Sequence, residues 1–372
     1  MTTSSDSSDE PFAKQNLALD IDSPTNSLAQ IWAKKYVQDL LVDPSTEEVP
    51  SDTSNLEVVL SSQGRAATVE KLQQALRFTS AQAWAKTEEL LAQQVQKHRI
   101  NPELIDPWQI AVDSRFLFEK ALGVYTEQAP TRAVSLMLGT FHTATSLESA
   151  TQLPAPSRLS VAIAQDVGKI RQKYTSADPR IIGFVSMQFH YSGQLLLDLL
   201  SPVERVVVAS YFKVIDDHLY MPLQRSYEAA ANQADFNSTA LLAVRQLLPI
   251  SSEIAKAVCD KVAAMYPTYR CYSGELSSAA IRISSLRDTE MFQVYLCLCV
   301  LEGNYASLQQ ELFPLCVMLY PPLQVSWELI RNMLRLVGQE ISDRLSEEHI
   351  KEFRPYIRAL WEMFSNDVVS QA

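Results

Sequence analysis

Glycine is scarce in this chain, with nine residues in 372. Strand-rich folds need glycine at many tight turns, so the shortage favours long helices joined by few sharp reversals. The start signals agree. Ser201-Pro202-Val203-Glu204 combines an N-cap serine, a proline at the first helical position and a glutamate that completes a capping box. Asn101-Pro102 and Asp178-Pro179 repeat the cap-then-proline device. No run of strict apolar alternation is long enough for a strand, and no short repeat is visible. The expected fold class is all-α.

Length favours about two domains. Residues 1–60 hold eleven acids and three bases, leaving only −3 of the formal net charge of −11 to the rest. So polar a segment cannot bury enough apolar surface to offset its ordering entropy, and it is expected to be a disordered acidic tail. Ser27 to Leu41 stands apart, because Leu28, Ile31, Trp32, Tyr36 and Leu40 fall near helical spacing. It reads either as a helix packed on its own domain or as a short docking helix. Residues 61–200 are expected to form a helical region of unknown type, with helices over Thr68–Lys97, Thr131–Leu147, Ser157–Tyr174 and Arg180–Leu200. Residues 201–372 continue the helical series, with a break at Pro222 and helices over Phe236–Leu248, Ser251–Met265, Ser277–Leu301, Ala306–Leu319, Pro322–Leu345 and Ser346–Phe364.

Several function classes fall away. An acidic chain without a Lys/Arg cluster argues against nucleic acid as a partner. The five cysteines have no metal-ligand spacing and mostly sit in apolar helical stretches, as small buried hydrophobes in a reducing compartment do. The Ser/Asp-rich start lacks the features of a signal peptide, and Val294–Leu301, the longest apolar run, is too short to span a bilayer. The expected location is cytoplasmic. No nucleotide-binding, nucleophile-elbow or metalloprotease motif is present, and no convergent Ser/His/Asp or Cys/His set can be chosen, so an enzyme is not expected. Asp216-Asp217-His218 reads as surface charge, His190 as a partly buried hydrogen-bonded residue, and Tyr211, Phe212, Tyr220 and Tyr227 as core or interface. No histidine lies between His218 and His349, which argues against a haem globin.

One stretch carries more. Ser285-Leu286-Arg287-Asp288 is followed by Glu290, an apolar helix, Gly303 as a helix stop, Asn304, and a second helix ending at Tyr320. This run resembles, without a gap, the chromophore-bearing segment of the phycobilisome globin-fold proteins, allophycocyanin and phycocyanin. A weaker likeness extends back to about residue 200. The resemblance implies a globin-like domain over residues 201–372. In the family a cysteine opens the segment and bonds the bilin, the next arginine pairs with a propionate, and the aspartate accepts from the pyrrole N–H groups. Here Ser285 stands at the cysteine position, and a hydroxyl of ordinary pKa does not replace a thiolate nucleophile. Asn304 and Pro314 also depart from the pattern, Pro314 by interrupting a helix.

The resemblance therefore implies no covalent cofactor. Arg287 and Asp288 are left either as noncovalent bilin contacts or as an ordinary helix-surface pair. It further implies a non-enzymatic role in light harvesting, in antenna assembly, regulation or docking. The implied partners are phycobilisome or phycobiliprotein components, with homo- or hetero-oligomers and peripheral thylakoid association. The alternatives are a noncovalent tetrapyrrole sensor or carrier and a bilin lyase-like enzyme.

Overall fold

The computed structural model describes residues 28–36, 56–127, 155–365 and 368. These are almost entirely helical. Helix α1 covers residues 28–36. It is followed by α2 (Leu56–Leu60), α3 (Ser62–Lys97), α4 (Pro107–Glu127), α5 (Ala155–Thr175), α6 (Ile181–Leu197) and α7 (Pro202–Tyr220). Then come α8 (Leu223–Ala231), α9 (Thr239–Leu247), α10 (Ser251–Met265), α11 (Ala279–Glu302), α12 (Phe313–Leu319), α13 (Trp327–Arg344) and α14 (Glu347–Met363). The expected helix over Thr131–Leu147 lies outside the described residues, as do most of residues 1–60.

The local chemistry sets the boundaries. Ser201 caps α7: its hydroxyl accepts from the Glu204 N–H, and the Glu204 carboxylate accepts from the Ser201 N–H at 2.9 Å. Burial works against the Glu204 charge, but the Ser201 N–H, Lys71, and the Ser201 and Thr68 hydroxyls outweigh it and draw its pKa down to about 2. Helix α7 stops before Pro222, and α8 starts just after it. The helix expected over Ala306–Leu319 is two pieces. A π turn at Leu308–Leu312 precedes α12, in which Pro314 sits in the first turn. Proline has no N–H to donate, and the widened turn ahead of it accommodates the missing bond. One strand pair was not foreseen: Arg270–Cys271 (β1) pairs antiparallel with Gly274–Glu275 (β2). Two residues per strand are too few to register as alternation.

One contiguous core runs from Leu28 to Phe364 and joins the segments on both sides of residue 200. Helix α7 packs on α4, α5 and α6 in the N-terminal half, while α11 packs on α8, α9, α10, α13 and α14. Every residue of α11 from Thr289 to Leu301 is buried. A helix apolar on all sides belongs at the centre of a domain, and the rest of the C-terminal half wraps it. Gly303 ends α11 in the left-handed region, at φ 67°.

Gly303→Ala is expected to lower unfolding stability by about 1 kcal/mol, because only glycine takes that backbone without steric cost. Gly123, inside α4, has nothing within 4 Å of an added Cβ, so Gly123→Ala is expected to raise stability by up to about 1 kcal/mol. Urea denaturation of the two variants checks both signs.

Candidate functional site

Helix α11 carries Ser285, Arg287, Asp288 and Glu290 at its entry into the core, and the side chains diverge. Ser285 borders a cavity of about 40 Å³ shared with Cys259, Leu276, Arg282, Leu329 and Met333. Such a space suits about one water, whereas a drug-sized ligand needs several hundred Å³. Arg287 and Asp288 do not line it.

Arg287 turns toward α7. Its guanidinium carbon lies 3.7 Å from the centroid of the Tyr220 ring, a close cation–π contact. Nη1 donates to Asp216 Oδ2 at 3.4 Å, and Nε lies 3.9 Å from Asp288 Oδ1. His190 Nδ1 meets the same Asp216 oxygen at 3.2 Å. The Arg287 side chain is only 10% exposed, so it is not an ordinary helix-surface group. Burial works against its charge, but Tyr220, Asp288, Asp216 and Asp217 outweigh it and hold the guanidinium protonated. Burial raises the Asp288 pKa, with Arg287 opposing. The buried Tyr320 phenol beside Asp288 also opposes that rise.

Glu290 faces the other way. Its Oε1 accepts from Lys35 Nζ at 2.9 Å and from Ser252 Oγ at 2.6 Å. Lys35 belongs to α1, more than 250 residues earlier. It also donates to Ser251 Oγ at 2.7 Å and sits 3.7 Å from the Trp32 ring centroid. Burial pushes the Glu290 pKa up, but Lys35 and Lys213 outweigh it and the group stays ionised. Sequence reasoning missed the Lys35–Glu290 pair, because nothing local in either segment points to the other.

Asp216-Asp217-His218 is corrected from surface charge. Asp217 is 1% exposed and His218 2%. Asp217 Oδ2 accepts from Lys213 at 2.7 Å, and burial raises its pKa. His218 Nδ1 donates to the Val214 carbonyl at 2.9 Å, leaving Nε2 to accept from the Ser160 hydroxyl at 3.3 Å. Burial draws its pKa down to about 4, so it is neutral near pH 7. His190 is the partly buried, hydrogen-bonded residue expected.

A larger cleft of about 400 Å³ lies between α5 and α8, lined in part by Lys169, Arg171, Arg225 and Glu311. Its guanidinium groups already have partners. Arg225 pairs with Glu302 at 2.6 Å and with Glu311, and Arg171 donates to the Leu219 carbonyl and to the Tyr295 hydroxyl at 3.1 Å. Among the described residues no cluster of three or more His, Cys, Asp or Glu is placed to hold a metal, and no helix is long and apolar enough to cross a membrane. Cys259, Cys297, Cys299 and Cys316 are buried and Cys271 half-buried, and burial raises all five thiol pKa values.

The residues do not suit a bilin held in the family's manner. Ser285 offers a hydroxyl and a one-water space, and the Arg287 charge is already met by Asp216, Asp288 and the Tyr220 ring, although its Nε makes no hydrogen bond.

The buried His218 sets a pH dependence. Its folded pKa lies below the ordinary 6.5, so below that pH the unfolded chain binds a proton that the folded chain refuses. Stability therefore falls as pH drops from 6.5 toward 4, by on the order of 2–3 kcal/mol for this group. Asp217 contributes the opposite slope, because its folded pKa is raised. His218→Gln is expected to remove the His218 share, so the stability difference between wild type and variant narrows as pH falls. Denaturant titrations across that window check it; a constant difference contradicts it.

No curated protein and no solved structure matches the chain. Residues 210–363 match the family model described as phycobilisome protein, a span that includes the end of α7, all of α11 and the Ser285–Glu290 site. On that match residues 210–363 of this all-α chain are similar to the phycobilisome protein family.

Proposed function

We propose that the protein is a pigment-free, non-enzymatic member of the light-harvesting system that binds phycobilisome or phycobiliprotein components and serves antenna assembly, regulation or docking. The observation that carries this reading is the closure of the Arg287 site. In place of a ligand propionate, Arg287 is held by Asp216, Asp288 and the face of Tyr220, and the position of the attachment cysteine holds Ser285. The pairing supports a scaffold that retains the arginine for its own packing. Every cysteine has its thiol pKa raised, so no thiol is poised as a nucleophile, which supports binding over thiol catalysis. Under this reading the protein resides in the cytoplasm and reaches the thylakoid surface through its partners.

Two measurements test it. Wild-type protein is expected to co-sediment with isolated phycobilisomes, and absence from that fraction across light regimes contradicts the role. Ser285→Cys, produced in cells that make bilins, is expected to remain colourless, because the space beside residue 285 is about 40 Å³. A covalently coloured variant would show that the pocket opens to pigment.

A further inference from the structure

Helix α1 sits in a groove built by α5, α7, α10 and α11, and its contacts are those of a recognised ligand. Leu28, Trp32, Ala33 and Tyr36 are buried, with Trp32 1% exposed, and Lys34 faces solvent. The Ser157 hydroxyl on α5 donates to the Ala33 carbonyl at 2.6 Å. On α7, His218 stacks on Tyr36 at 6.5 Å between ring centroids, and Lys213 lies over the same ring at 5.7 Å. Trp32 Nε1 donates to the Tyr36 hydroxyl at 3.0 Å, so the two aromatic rings enter as a unit.

The charge of the groove selects what enters. Two carboxylates are buried there, Asp217 on α7 and Glu290 on α11. Asp217 holds Lys213 from its own helix. Glu290 accepts from Ser252 of α10 and feels the Lys213 charge of α7, and its direct ion pair is with Lys35, which the incoming helix supplies. Without α1, Glu290 loses its direct ion-pair partner, which weakens the support for its charge. The groove thus favours a cation delivered next to an aromatic anchor, as Lys35 and Trp32 are. A helix of the length expected over Ser27–Leu41 is marginal alone in water, so docking supplies much of the stability of α1.

We propose that this groove is a docking site for an amphipathic helix of the partner that presents a tryptophan or tyrosine beside a lysine or arginine, and that residues 28–36 fill it in cis in competition with that helix. The inference rests on the interaction role proposed above and adds to it the surface and the chemistry of the partner. Buried aromatic and basic residues at the centre of a contact are the residue types that carry most binding energy at interfaces. Tethering to the same chain gives α1 the advantage of effective concentration, so the partner helix gains access only when it is abundant or when α1 is weakened.

The test uses the full chain and a fluorescent peptide spanning Ser27–Leu41. A variant with Trp32→Ala and Lys35→Ala is expected to bind the peptide at least tenfold more tightly than wild type, whose groove is occupied. Adding Glu290→Gln to that variant is expected to weaken binding at least tenfold. The same Trp32→Ala and Lys35→Ala variant is expected to co-sediment with phycobilisomes more than wild type, and the peptide is expected to compete it off. Should the double variant lose its cooperative unfolding transition, Lys35→Met alone serves the same comparison. Equal peptide affinity for wild type and variant, or no saturable binding to a folded variant, overturns the groove. Peptide binding that behaves as expected, with no co-sedimentation of any form, keeps the groove and overturns the phycobilisome role. Co-sedimentation unchanged by the variant or the peptide overturns the competition while leaving that role standing.

Discussion

A helix buried along its whole second half carries Arg287, Asp288 and Glu290 at its entry, and the packing around Arg287 and Glu290 answers that constraint. Helix α11 is enclosed from Thr289 to Leu301, and Arg287 and Glu290 stand where it passes into the core. Each charge must find a partner, because an isolated ion in such surroundings costs several kcal/mol. Being three residues apart, the two side chains reach different neighbours. Arg287 draws in Asp216 and Tyr220 from α7 and Asp288 from its own helix. Glu290 draws in Ser252 from α10 and Lys35 from α1. The Arg287 contacts tie α11 to α7, and the Lys35–Glu290 pair ties it to α1, within a continuous core that runs from Leu28 to Phe364.

The same constraint bears on function. A pigment site in this position needs an arginine free for a carboxylate and a volume for the tetrapyrrole. Here the arginine is part of an internal network, and the space beside Ser285 is about 40 Å³. Residues 210–363 are similar to the phycobilisome protein family, and within them Arg287 and Glu290 are held by internal contacts.

Much of the helical architecture was legible in the chain. The capping box at Ser201, the break at Pro222 and the stop at Gly303 are local signals, and each acts where it stands. The start of α13 was placed too early, at Pro322, because Ser326 caps the helix that begins at Trp327. The π turn before α12 replaced an expected kink, since the sequence marks the proline but not the way the backbone absorbs it. Of the site, Arg287 and Asp288 were visible by resemblance. Their burial was not, because an arginine and an aspartate side by side on a helix look the same whether they face water or a tyrosine. Lys35 was invisible for a different reason: its partner is 255 positions away, and a lone lysine in an acidic segment carries no mark of the carboxylate it neutralises.

The absorption spectrum of the native protein, purified from cells that make bilins, tests the central claim most directly. A closed Arg287 site predicts the aromatic band in the near ultraviolet and no band from there to the red. A visible band that stays with the protein through gel filtration and weakens in Asp288→Ala would contradict it.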